Sequence, residues 1–211
     1  YYENVSVLIS EWANSGDLLD YIRANYKKFK LNHWRTLFFQ FLSVMAIIQA
    51  KYPSFRHNDL KANNLLVNEI GTTHNNSKFQ YKINGQSYIV PNIGFQIKLW
   101  DFDFACIPGL IDNSKVDAEW TSKINIDPVK NRYYDIHYFF NTLTKKGFFP
   151  QFWTEPEIPQ RIKDFVRRVI PEKFRKGEKV SDRGRILSNE EYLTADEILK
   201  TDKLFKIMRV E

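Results

Sequence analysis

Between His33 and Lys51, apolar side chains recur at Trp34, Leu37, Phe38, Phe41, Leu42, Met45 and Ile48. Steps of three and four residues place them on one broad face of an α-helix. A face that wide has to be covered, so the segment demands other elements packed around it. Asn32 is the expected N-cap and Pro53 the stop. Three later helical patterns can supply the cover. Tyr134, Ile136, Phe139, Phe140 and Leu143 form one, ended by Gly147 and Pro150. Pro159 to Ile170 forms the next, ended by Pro171. Thr194 to Leu204 forms the last, with Thr194 and Glu197 spaced as a capping box. Near the start, Asn14-Ser15-Gly16-Asp17 reads as a turn that opens a helix through Leu18, Leu19, Tyr21 and Ile22.

Strand signals are short. Val5 to Trp12 is β-branched and apolar and reads as a buried strand, and Leu65 to Val67 and Gln96 to Trp100 give two more. After a polar stretch from Asn68 to Asn76, Phe79 to Ile83 and Gln86 to Val90 flank Asn84-Gly85. Asn-Gly tolerates the positive φ angles of a type I′ turn, so this is a strong hairpin signal. Strands and helices do not alternate, which argues against a doubly wound sheet and for an α+β fold, mainly helical.

Hydrophobic residues make up 43% of the 211 and aromatics 16%, enough for a folded core. The apolar run from Leu37 to Ala50 is broken by Gln40, Ser43 and Gln49, so no segment reads as a clean membrane span. No signal-peptide pattern precedes the first strand, and the single cysteine, Cys106, suits a reducing compartment, so a cytoplasmic setting is expected. Two Asn-x-Ser sequons, at Asn4 and Asn75, are chance matches in such a setting. The net charge is +6, but basic residues are dispersed among acids even in the densest patch, Arg161 to Arg185. Nucleic acid is therefore not an expected partner. The histidines have no metal-ligand spacing, and the tryptophans are read as packing residues.

The most informative stretch is Phe55-Arg56-His57-Asn58-Asp59-Leu60-Lys61-Ala62-Asn63-Asn64-Leu65-Leu66-Val67. It sets an Asp, a Lys two residues on and an Asn five residues on in a polar loop between a helix and a strand. A carboxylate there could accept a hydroxyl proton, the Lys could neutralise phosphate charge, and the Asn oxygen could bind a hard cation. A plain polar loop with a capping Asp is the bland alternative. The segment resembles the catalytic loop of eukaryotic-type protein kinases, with identity at His57, Asp59, Leu60 and Asn64. The resemblance implies that Asp59 is the catalytic base, that Lys61 contacts phosphate as in serine/threonine kinases, and that Asn64 binds Mg²⁺.

Four further segments follow the family's order. Asp101-Phe102-Asp103, ending a strand, resembles the metal-binding Asp-Phe-Gly segment, which implies that Asp101 binds Mg²⁺ and Phe102 packs into the core. Leu8 to Leu18 looks like the last small-lobe strand, the hinge and the first large-lobe helix. That implies Ser10 as gatekeeper, backbone groups of Glu11 and Ala13 on the adenine of ATP, and Asp17 facing the ribose or a substrate side chain. Asp135 sits where the family's central buried helix places an Asp that anchors the catalytic-loop backbone. Leu193 to Asp202 resembles the last helix of the fold.

Residues 1–13 are thus expected to be the last small-lobe strand and hinge, and 14–211 the large lobe with a hairpin insertion at about 68–96. The glycine-rich loop, strand Lys and partner Glu of the small lobe are expected from an upstream segment or another chain. The hairpin and the Asp-Phe-Asp variant look most like divergent kinases of large DNA viruses, which would place the protein in host cytoplasm or virion. Asp103 stands in place of a Gly that gives backbone freedom, and Asp is among the better residues at positive φ. Asn58 replaces the Arg that pairs with a phosphorylated activation loop, so such phosphorylation is not expected to be the main switch; Ser114, Thr121 and Ser122 are the phosphosite candidates. Cys106 is read as a buried small hydrophobe rather than a thiol at the nucleotide site. The reading implied is phosphoryl transfer from Mg-ATP to Ser or Thr hydroxyls of a protein substrate. A pseudokinase scaffold is the rival, and a small-molecule phosphotransferase of the same fold is the third.

Overall fold

The computed structural model describes residues 9–71 and 77–210. It is a mixed α and β structure whose core gathers around one long helix. After α1 (Leu18–Asn25), α2 (Leu31–Lys51) runs through the middle, and its Trp34, Leu37, Phe38, Phe39, Phe41, Leu42 and Met45 are all buried. Against it pack α4 (Tyr134–Leu143), α5 (Gln160–Val169) and α6 (Ala195–Thr201); a single short turn of helix, α3 (Glu119–Ser122), precedes them. Helix α6 brings aliphatic Ala195, Ile198 and Leu199, whereas the contact among α2, α4 and α5 is aromatic. Phe41 stacks on Phe139 with centroids 4.0 Å apart, and Phe38 meets Phe140 edge-on at 5.0 Å. Phe140 in turn meets Phe165 of α5 at 5.5 Å. Each such pair contributes about 0.5–1.5 kcal/mol beyond the area it buries.

The start of α2 differs from the expectation. Lys30, not Asn32, is the N-cap, and the His33 ring reaches back so that Nδ1 accepts the Lys30 N–H at 3.1 Å. His33 is held for this by stacking on Phe29, with ring planes 2° apart. Asn32 lies inside the first turn and accepts from Arg35 at 2.8 Å.

Two small antiparallel sheets complete the described chain. Strand β1 (Leu65–Glu69) pairs with β4 (Phe95–Leu99), Leu65 opposite Leu99. Between them in sequence, β2 (Lys78–Ile83) and β3 (Gln86–Pro91) form the expected hairpin. Asn84 and Gly85 have φ of 45° and 87°, the left-handed values a type I′ turn needs. The hairpin buries Ile83, Tyr88 and Val90, with Tyr88 5.1 Å from Phe39 of α2. Its turn is fastened to the far end of the chain. Asn84 Nδ2 donates to Asp196 at 2.9 Å, Lys200 Nζ donates to the Asn84 carbonyl at 3.1 Å, and Gln86 Nε2 donates to the Val210 carbonyl at 2.7 Å.

Helix α6 opens with the expected capping box: Thr194 Oγ1 accepts from Glu197 N at 3.3 Å, and Glu197 accepts from Thr194 N at 2.8 Å. The strand expected over Val5 to Trp12 lies partly outside the described residues. Its described part, from Ile9, joins no strand, and Ile9 and Trp12 are exposed while Ala13 is buried. Among the described residues no helix is long and apolar enough to cross a membrane.

Candidate active site

The loop between α2 and β1 is held from three directions. Asp135, in the first turn of α4, accepts the backbone N–H of His57 at 2.8 Å and of Asn58 at 3.0 Å. The carboxyl is fully buried, and burial pushes its pKa up while the two amides and nearby Arg56 oppose that rise. His57 Nε2 lies 2.9 Å from the Trp100 carbonyl; an oxygen partner there makes Nε2 the protonated nitrogen. Arg56, wholly buried, donates to Asp127 at 2.5 Å and to the carbonyls of Asn125 at 2.6 Å and Val129 at 2.9 Å. Its guanidinium also lies over the Tyr134 ring, 3.9 Å from the centroid. These contacts fix the backbone so that Asn58 sits at φ 65°, a left-handed value that Asn tolerates better than most residues.

The turn at Asn58 delivers Asp59 into a dense set of donors. Lys61 Nζ lies 2.7 Å from Asp59 Oδ2, and Asn64 Nδ2 donates to the same oxygen at 3.0 Å and to the Asp59 carbonyl at 2.9 Å. Arg185 donates to Oδ1 and to the Asn58 carbonyl. Oδ2 has two donors and is saturated, whereas Oδ1 keeps one lone pair free of these contacts. A cavity of about 580 Å³ opens here, lined by Asp59, Lys61 and Arg185 and walled by Phe104, Trp120 and Tyr138.

Asp101 is brought alongside by the short sheet. The Trp100 N–H donates to the Asn64 carbonyl at 3.0 Å, continuing the β1–β4 ladder one step past Leu65–Leu99. The next residue, Asp101, has φ 59° and turns away from the strand. Its side chain is exposed and enters none of the ion pairs among the described residues. Asn64 spends its amide hydrogens on Asp59, which leaves its side-chain oxygen as an acceptor. Lys61, Asn64 and Asp59 are thus in direct contact, and Asp101 is tied to them through the backbone.

Several expectations need correction. The left-handed backbone lies at Asp101, and Asp103 is not among the residues with positive φ. Phe102 is half exposed and rests on His57, ring centroids 5.1 Å apart, rather than entering the core. Thr121 is fully buried and donates to the Val116 carbonyl at 2.9 Å, so it is a poor phosphosite, while Ser114 and Ser122 are exposed. Cys106 is buried as expected, and burial pushes its thiol pKa up against the opposing pull of Arg56 and Asn58.

At the hinge segment, Glu11 is exposed and its carboxylate pairs with Lys98 of β4. Asp17 caps α1, accepting from Asp20 N at 3.1 Å, which engages one of its oxygens. Sequence reasoning missed Arg185 altogether. It lies on a tight loop in which Ser181 and Arg185 exchange backbone and side-chain bonds and buried Gly184 takes φ 90°. The guanidinium also donates to the Tyr134 hydroxyl at 2.9 Å and lies over the Tyr138 ring, 4.0 Å from the centroid. The Asp-Arg-Gly-Arg run signals a turn in the sequence, but nothing in it signals a partner so far up the chain.

A family model described as poxvirus serine/threonine protein kinase matches residues 3–199. A protein of Acanthamoeba polyphaga mimivirus named "Putative serine/threonine-protein kinase R400" is 52% identical over 208 residues, covering 97% of this chain and 44% of that protein. Serine/threonine-protein kinase 2 of vaccinia virus (strain L-IVP) is 31% identical over 116 residues, covering 54% of this chain and 24% of that protein. The chain therefore spans less than half the length of these curated relatives. With the match running across nearly all of its length, the chain belongs to the poxvirus serine/threonine protein kinase family.

Proposed function

We propose that this chain is the large lobe of a viral-type protein kinase that moves the γ-phosphoryl group of ATP to Ser or Thr hydroxyls of a protein substrate. One observation carries the reading: Lys61, Asn64 and Arg185 converge on Asp59 in a loop whose backbone is pinned by Asp135. Asp59 orients the acceptor hydroxyl through the remaining lone pair of Oδ1 and takes its proton as the new O–P bond forms and the bond to the β-phosphate oxygen breaks. Lys61 offsets charge on the transferring group. The hydroxyl reaches Asp59 from the cavity walled by Phe104, Trp120 and Tyr138.

Asn64 and Asp101 would hold Mg²⁺. They present a neutral amide oxygen and an exposed carboxylate, a hard donor set that suits an ion which keeps waters and phosphate oxygens as its other ligands. Bound there, the ion would supply neutralisation of phosphate charge. The hinge segment, with Glu11, Ala13 and Asp17, would border the nucleotide. A small lobe, upstream or on a separate chain, would close the cleft over it, and host cytoplasm or virion is the setting this role implies.

With the small lobe present, Asp59→Asn is expected to cut transfer from labelled ATP to Ser/Thr peptides roughly a hundredfold to ten-thousandfold while the chain still folds, at a lower Tm because buried Arg185 loses its carboxylate. Retained transfer would refute the reading. A scaffold without catalysis is the second reading, favoured by Arg185 occupying one oxygen of Asp59. Transfer assayed with the small lobe present separates the two: turnover that falls about tenfold in Arg185→Met marks a positioning role for Arg185 in a working site, and no detectable transfer by either the unaltered chain or the variant marks the scaffold.

A further inference from the structure

Away from the Asp59 cleft, α2, α5 and the segment after α6 enclose a second cavity of about 280 Å³. Its lining is Arg35, Arg161, Asp164, Arg168, Lys203 and Leu204, four cations to one carboxylate. The acids nearby are already engaged. Asp164 pairs with Arg167 at 3.0 Å and accepts from Gln160 at 2.7 Å, and Asp202 takes a two-pronged bond from Arg168, both contacts 2.8 Å. Arg161 and Lys203 pair with no carboxylate among the described residues.

Arg35 is the unusual member. It is only 8% exposed, and a buried guanidinium is ordinarily matched by a carboxylate. Here its one described hydrogen-bond partner is the neutral Asn32 oxygen at 2.8 Å, and its buried Nε has none. Burial, and after it the Arg161 guanidinium, push its pKa below the ordinary arginine range, as expected of a charge short of a counter-ion. Arg161, Asp164 and Arg168 follow at three- and four-residue steps on α5, so both arginines present to one face. The space is several times the ~30 Å³ share of a liquid water, roomy enough for a tetrahedral oxyanion.

We infer that this cavity is an anion site that takes a phosphoryl group, with Arg35 at its floor and Arg161 and Lys203 at its rim. Guanidinium forks match the oxygens of such a group, and two of the three cations have been left without another partner. The site shares no residue with the Asp59 cleft, so it stands whether or not the chain transfers phosphate.

The test is a titration of the full chain with inorganic phosphate at constant ionic strength, read by thermal unfolding and by chemical shifts of Arg Nε–H groups. A saturable rise in Tm is expected, together with a shift of the Arg35 Nε–H signal. The paired change Arg161→Gln with Lys203→Gln should weaken the phosphate response about tenfold or more, while Lys61→Met, in the other cleft, leaves it intact. A response that is absent, that does not saturate, or that follows Lys61 rather than Arg161 and Lys203 overturns the site. Arg35→Met should abolish the response, and because the two rim variants change exposed side chains, the result does not depend on whether Arg35→Met folds.

Discussion

Two buried regions of this molecule are built on opposite rules. Between α2, α4 and α5 the interior is aromatic, held by contacts such as Phe41–Phe139 and Phe38–Phe140. A few residues away, around Arg56, Asn58 and Asp135, the interior is polar, and each group depends on partners of fixed direction. The aromatic region gains from any well-filled volume, so its side chains are partly exchangeable. The polar region gains little from volume and loses heavily when one acceptor goes missing. Position and stability are therefore separated: the first region holds the fold together, and the second aims the Asp59 loop.

The sharpest way to break this contrast is Asp135→Asn, which keeps size but turns one acceptor into a donor facing a backbone N–H. About 3 kcal/mol of stability should be lost, measured by urea unfolding, because a buried amide is left unpaired. A loss under about 1 kcal/mol would show that the polar region is as forgiving as the aromatic one.

Acid provides the next test. His137 on α4 is buried, Nε2 donates to the Phe174 carbonyl at 2.6 Å, and Nδ1 has no partner. Burial pushes its pKa down from 6.5 to about 4. The unfolded chain thus binds the extra proton first, so stability is full above pH 6.5 and falls as pH drops toward 4. Between pH 7.5 and pH 5 the loss from this group should be about 2 kcal/mol, and His137→Gln should flatten that part of the curve. An unchanged slope in the variant would remove His137 from the account.

Phe140→Leu should cost only about 1 kcal/mol, since neighbouring rings can close on the smaller side chain. Smallest is the effect at Cys106, whose raised pKa and burial should make alkylation at pH 8 far slower than that of a free thiol, with no change in stability. The backbones of Arg56 and Cys106 exchange hydrogen bonds of 3.0 and 2.9 Å, and rapid labelling would mean that this pairing opens readily.

The same contrast explains what could be read before any coordinates. The aromatic helices, the Asn84-Gly85 hairpin and the Thr194–Glu197 box are local patterns, with partners a few residues apart. Within the site, the spacing of Asp59, Lys61 and Asn64 was legible for the same reason, and the family resemblance anticipated the anchoring by Asp135. Arg185 was not legible, since it meets Asp59 across 126 residues and its sequence neighbourhood carries only a turn signal. Asn125 and Asp127, which hold Arg56, were not legible for the same reason: a carbonyl and a carboxylate 69 and 71 residues downstream. The assignment of special backbone geometry to Asp103 failed because φ at this point follows from how Trp100 is pinned between Asn64 and His57, which residue type alone does not reveal.

The fastening of the β2–β3 turn by Asp196 and Lys200 sets a schedule on the ribosome. Asn84 emerges 112 residues before Asp196, a wait of about 6 to 22 seconds at ordinary elongation rates. Through that interval the nascent hairpin can lean on α2 but cannot be latched, and its strand edges are open to neighbouring polypeptides. Slow translation downstream of the hairpin would lengthen that window, and a chaperone that shields strand edges would be most useful during it.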